Sequence, residues 1–157
     1  MSKIISYNRR QGIRRMTSMK VVKRFRWSMA HRLTHGYQGR CASLHGHEYE
    51  VEVSVMGEVD GMGLAVDFAD IKRACEGWIR EHLDHTTIVH NEDTPLLDFL
   101  KREDQRYYAV DFNTTAENLA IHLREVFQKE LDRVLDRRLS VSHIRLLETP
   151  SSWVEVP

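Results

Sequence analysis

From His31 to Val55 the chain reads HRLTHGYQGRCASLHGHEYEVEVSV. Tyr49, Val51, Val53 and Val55 alternate with Glu48, Glu50 and Glu52, which is the period of a strand with one buried face. His45 and His47 continue the apolar set, so both imidazoles point inward. Upstream, Val21, Phe25, Trp27 and Met29 alternate in the same way, and His31 falls in phase with them. An antiparallel pairing of these two strands puts facing side chains about 5 Å apart, close enough for three ring nitrogens to meet one ion at about 2.0–2.1 Å. A single inward histidine is ordinarily a hydrogen-bonded core residue. Three in phase on adjacent strands are harder to explain that way, because an apolar face gains nothing from repeated desolvation of imidazole. His31, His45 and His47 are therefore candidate ligands for zinc, or for another borderline ion such as iron(II).

Composition sets the outer bounds. At 157 residues and 41% hydrophobic content the chain has the size of one domain with a real core. Formal net charge is zero, but residues 1–20 carry Lys3, Arg9, Arg10, Arg14, Arg15 and Lys20 without an acid. The acidic remainder argues against nucleic acid as partner. No stretch approaches the roughly 20 apolar residues of a membrane span. We read residues 1–19 as a basic, disordered leader without the apolar region of a secretory signal, and residues 20–157 as a single domain. Two cysteines, Cys41 and Cys75, do not make a disulfide framework, and a cytoplasmic setting is expected.

Strand one is expected over Lys20 to Arg32, with Arg24 and Arg26 outward and able to face Glu50 and Glu52. The connecting loop, Thr34 to Leu44, can bring Cys41 to the histidines. After a glycine-rich turn at 57–63, Asp67 is placed as the N-cap of a helix whose buried stripe includes Ile71, Cys75 and Ile79. Residues 90–105 read as a loop containing a short helix, and Tyr107 to Phe112 as an edge strand. Thr114 to Glu117 reads as a capping box, with Thr114 as N-cap, opening a helix to about Leu135. Leu139–Glu148 and Trp153–Val156 are the closing strands. The order gives an α+β fold: an antiparallel four-stranded sheet with two helices on one face, whose free edges invite oligomerisation.

Several further residues carry chemistry. Cys41 is either an ordinary loop thiol or, beside a cation and histidines, an activated base or nucleophile. Asp84 and His85 are either punctuation at a helix end or an oriented acid–base pair. Glu117 is explained by capping alone. Glu148 alternates with Ile144 and Leu146, and a carboxylate on an apolar face calls for a partner with N–H donors.

Together, AHR at His31, CASLHGHEY at Cys41–Tyr49, VDFADIK at Val66–Lys72, LDH at Leu83–His85, TAEN from Thr115 and LET from Leu147 resemble the 6-pyruvoyltetrahydropterin and 6-carboxytetrahydropterin synthase family. The resemblance spans about residues 20–150. It implies a tunnelling fold, in which trimers close the sheets into a barrel and two trimers stack into a hexamer. It also implies zinc on His31, His45 and His47, and 7,8-dihydroneopterin triphosphate as substrate. Cys41 would take a proton acidified by the metal, His85 oriented by Asp84 would complete the relay, and Glu148 would anchor the pterin edge with help from Thr115 and Glu117 at a subunit boundary. Three features depart from the pattern: Thr114 replaces a proline, the segment between His85 and Thr115 is longer, and the basic leader has no counterpart.

The leading expectation is a queuosine-pathway 6-carboxy-5,6,7,8-tetrahydropterin synthase, which also cleaves the side chain and releases acetaldehyde. The alternatives are a 6-pyruvoyltetrahydropterin synthase, a non-catalytic zinc or pterin-binding module, and a structural metal site with Cys41 as fourth ligand.

Overall fold

The computed structural model describes residues 17–135 and 139–157. Most of the basic leader lies outside the described residues; Ser18 and Met19 already belong to the first strand. β1 (Ser18–His31) and β2 (His45–Glu58) form a long antiparallel hairpin in which Trp27 faces Tyr49, Met29 faces His47 and His31 faces His45. Arg24 and Arg26 lie opposite Glu52 and Glu50 and pair with them on the outer face. On the inner face Phe25, Trp27, Met29, Tyr49, Val51, Val53 and Val55 are buried.

β5 (Ser140–Thr149) pairs with the other edge of β2, and β6 (Ser152–Val156) pairs with β5, both antiparallel. These four strands are the expected antiparallel sheet. Helices α1 (Phe68–His82) and α3 (Ala116–Val134) pack on its apolar face and on each other. Ile71, Cys75 and Ile79 of α1 and Leu119, Leu123, Phe127 and Leu131 of α3 share one core with the strands. Each such side chain contributes about 1.5–3 kcal/mol when fully buried.

The long connection after α1 adds two strands beyond β1. β3 (Thr86–His90) lies parallel to β1 and β4 (Tyr107–Val110) parallel to β3, giving the order β4-β3-β1-β2-β5-β6. Parallel neighbours need crossovers, which α1 and α2 (Thr94–Arg102) supply. α2 is the short helix expected, capped by Asp93 and burying Leu96, Leu97 and Leu100 against Val89. β4 is the expected edge strand. β3 was not foreseen: four of its five residues are buried, so it lacks the alternation that marks a one-sided strand.

The cap of α3 also differs from the sequence reading. Thr115, not Thr114, is the N-cap, and its hydroxyl accepts from Asn118 N at 3.3 Å. Thr114 is buried, with its hydroxyl donating to the Arg32 carbonyl at 2.8 Å. Glu117 therefore sits one position earlier than a capping box requires. Among the described residues no helix is long and apolar enough to cross a membrane.

Candidate metal centre and active site

The hairpin end carries the candidate ligands. The ring centroids of His31 and His45 lie 4.6 Å apart, those of His45 and His47 4.8 Å, and those of His31 and His47 5.4 Å. One ligand nitrogen from each of the three rings lies within 4.8 Å of the others, and no thiol belongs to the group. His31 Nδ1 donates to the Thr114 carbonyl at 2.8 Å, and His45 Nδ1 to the Ser43 carbonyl at 2.8 Å. A carbonyl can only accept, so both rings are Nδ1–H tautomers with a free lone pair on Nε2. The Nε2 atoms of His45 and His47 are buried without a hydrogen-bond partner. Burial, which outweighs the Thr114 carbonyl and the Glu148 charge, holds the His31 pKa below the ordinary histidine range. Nε2 lone pairs on His31 and His45 beside a buried, unpartnered His47 Nε2 offer a divalent ion its donors, so the residues present fit zinc.

Tyr49, the next inward residue of β2, stands beside this group. Its hydroxyl lies 3.4 Å from His31 Nε2 and donates to Glu148 Oε1 at 3.2 Å. Burial, followed by the Glu148 charge, raises the phenol pKa, so it stays a donor at neutral pH. Glu148 Oε1 is 3.6 Å from His31 Nε2, and its side chain is 26% exposed. The in-phase placement of Glu148 with Ile144 and Leu146 thus carries it to the histidines, where Tyr49 supplies a partner within the chain. Tyr49 read as core from the sequence; the signal was its hydroxyl among valines, since a buried tyrosine needs an acceptor. Thr114 and Ser43, which orient two rings through backbone carbonyls, left no sequence signal.

Cys41 lies on a single 3₁₀ turn, Arg40–Ala42, and is partly exposed and unpaired. Its carbonyl accepts from Leu33 N at 2.8 Å, which folds the loop back toward the end of β1. The Tyr37 hydroxyl hydrogen-bonds its thiol, raising the Tyr37 pKa. Cys75 is buried on α1 with a thiol pKa pushed up to about 12 by burial, so it is inert.

Asp84 and His85 form a pair, with His85 Nδ1 2.9 Å from Asp84 Oδ1. Asp84 Oδ1 also accepts from Ser28 N at 3.3 Å. His85 has φ +54 and a side chain 79% exposed. It lines an open cleft of about 690 Å³ that also borders His47 and Arg106. No hydrogen bond or ring contact joins this pair to the imidazole group, among the described residues. Thr115 is spent on the α3 cap, and Glu117 is exposed in the first turn.

A second cluster, His35, His90 and Glu92, borders a smaller cavity of about 290 Å³. Here Glu92 N–H donates to His90 Nδ1 at 3.0 Å. That forces the Nε2–H tautomer, and the ring offers the cavity a donor instead of a lone pair. Its chemistry is opposite to that of His31 and His45.

The sequence profile of the family described as 6-pyruvoyl tetrahydropterin synthase matches residues 20–157. The 6-carboxy-5,6,7,8-tetrahydropterin synthase of Rickettsia bellii is 36% identical over 141 residues, covering 88% of this chain and 99% of its own. That of Haemophilus influenzae is 34% identical, covering 87% and 96%. In fold, the chain is similar to the Caenorhabditis elegans 6-pyruvoyl tetrahydropterin synthase, with TM-score 0.65, 24% identity and coverage of 92% and 98%. The Plasmodium falciparum protein of that name matches with TM-score 0.68, 20% identity and coverage of 88% and 96%. With the profile and the relatives covering nearly the whole fold, the chain belongs to the 6-pyruvoyl tetrahydropterin synthase family.

Proposed function

We propose that residues 20–157 form a zinc-dependent 6-carboxy-5,6,7,8-tetrahydropterin synthase domain. It converts 7,8-dihydroneopterin triphosphate and one water to 6-carboxytetrahydropterin, acetaldehyde and triphosphate. The observation that carries this reading is the convergence of His31, His45 and His47, with the Nε2 atoms of His45 and His47 buried and unpartnered, beside the Glu148 carboxylate. The names of the relatives at 33–36% identity support the choice of product.

Zinc held by the three imidazoles supplies Lewis-acid polarisation of a substrate oxygen. Cys41, on its partly exposed turn, takes the proton from the adjacent carbon. Asp84 fixes the His85 ring through Nδ1, so that Nε2 is the atom that exchanges a proton with substrate. Glu148 accepts the paired N–H donors of the pterin edge, and the Tyr49 hydroxyl holds one carboxylate oxygen in place meanwhile. Thr115 and Glu117, at the exposed start of α3, border the site from a neighbouring copy. Among the described residues no hydrogen bond or ring contact joins the Asp84–His85 pair to the imidazole group, so we place the complete site between copies, in a trimer or dimer of trimers. Two unpaired cysteines suit a reducing, cytoplasmic setting.

Product analysis by mass spectrometry after incubation with dihydroneopterin triphosphate tests the reading. 6-Carboxytetrahydropterin with equimolar acetaldehyde is expected. A 6-pyruvoyl product without acetaldehyde, or no turnover by zinc-loaded protein, would overturn it.

A further inference from the structure

We propose that Arg106 is a positioning residue for the Asp84–His85 pair; the inference rests on the reading of that pair as the proton relay. Arg106 precedes β4, in the connection that also forms β3 and α2. Its guanidinium donates to three carbonyls at the end of α1. Nη1 reaches Asp84 O at 3.1 Å, and Nη2 reaches Arg80 O at 3.2 Å and Glu81 O at 2.8 Å. Two of these carbonyls belong to the last turn of α1, which has no intrahelical donors for them, and a cation there also suits the helix dipole.

The third contact bears on function. Asp84 O belongs to the peptide that joins Asp84 to His85, and His85 follows it in the left-handed region at φ +54, a conformation uncommon for any residue but glycine. His85 N–H is held by Ser28 O at 2.8 Å, Asp84 Oδ1 by Ser28 N, and Asp84 O by Thr86 Oγ1 as well as by Arg106. Of these holding groups Arg106 is the one long side chain, and it alone ties the turn to the start of β4. Arg106 and His85 also line the same cleft. The Arg106 carbonyl accepts from Thr87 N at 3.1 Å, so its backbone is anchored to the strand that follows the pair. With the guanidinium removed, the Asp84–His85 peptide keeps only its Ser28 and Thr86 contacts, and an exposed imidazole is held less firmly in its aim.

The test compares Arg106→Ala, Arg106→Lys, His85→Ala and the double variant Arg106→Ala/His85→Ala in the zinc-loaded enzyme. Arg106→Ala is expected to lower kcat by about 10- to 100-fold, the usual effect of a misplaced catalytic group, with KM and zinc content unchanged. It should also displace the pH profile of kcat, because His85 is no longer locked to Asp84. Arg106→Lys, which can reach one carbonyl, recovers part of kcat, and it carries the same readouts should the alanine variant fail to fold. In the His85→Ala background, Arg106→Ala should cost nothing further. Multiplying losses, a loss confined to KM, or an unchanged pH profile would overturn the role of Arg106. His85→Ala at wild-type kcat would overturn the relay reading itself and Arg106 with it. An inactive His85→Ala beside a fully active Arg106→Ala would overturn Arg106 alone.

Discussion

His31 and His90 are both buried imidazoles at strand ends, and the group on Nδ1 separates their chemistry. A carbonyl on His31 Nδ1 frees Nε2 for a cation, whereas a peptide N–H on His90 Nδ1 leaves Nε2 protonated. We expect His45→Ala to lower zinc below about one per chain and abolish turnover in a folded protein, by metal analysis and assay. Cys41→Ala should keep its zinc and lose most activity, while Cys75→Ala stays close to wild type; loss of zinc from Cys41→Ala would instead make Cys41 a ligand. Glu148→Gln keeps the shape and removes the charge proposed to face the pterin. It should weaken binding of a non-reactive pterin by about 2–3 kcal/mol, read by calorimetry, with zinc unchanged. Tyr49→Phe should weaken it less, since Glu148 stays charged but loses the hydroxyl that holds it. The histidines, Cys41, Asp84, His85 and Glu148 were all legible as candidates, because residue type and period are local properties. Tyr49 as a partner and Thr114 as an orienting carbonyl were not.

At the level of elements, the start of α3 shows how one residue of error arises. Thr114 and Thr115 are equally good caps by type, and the choice falls on Thr115 because Thr114 is bound to the end of β1. Thr115→Ala should destabilise the protein by about 1 kcal/mol in urea denaturation. An unchanged midpoint would return the cap to Thr114. Where α3 meets α1 and β4, His122 Nε2 lies 3.0 Å from the Tyr108 hydroxyl. Burial holds the His122 pKa below the ordinary histidine range, against the raising influence of Glu125. The unfolded chain therefore binds a proton first as pH falls through about 6.5, and stability drops from there down to the folded-state pKa. His122→Gln, which does not titrate, should make the decline in thermal stability over that window shallower than in wild type.

At the scale of the molecule, no hydrogen bond or ring contact among the described residues joins the three imidazoles to the Asp84–His85 pair, and on the proposed mechanism activity should depend on assembly. Refolding a mixture of His45→Ala and His85→Ala proteins, the first inactive and the second reduced to a small residual rate, should restore activity on the order of a quarter of wild type. That is the fraction expected from random pairing of complementary halves in a closed symmetric assembly. A mixture as inactive as its components would mean that each chain holds a whole site.

The alternation of Val21–His31 and His45–Val55 was enough to define the hairpin, its buried face and the three candidate ligands. Strand pleat is a property of the backbone itself, and facing residues follow once two alternating runs pair. β3 was hidden because a strand buried on both faces carries no period. The contacts that turn candidates into a site join residues far apart in the chain: Tyr49 to Glu148 across 99 positions, and His31 to Thr114 across 83. Such contacts are set by how the helices and added strands pack against the sheet, and packing at that range leaves no trace in local pattern.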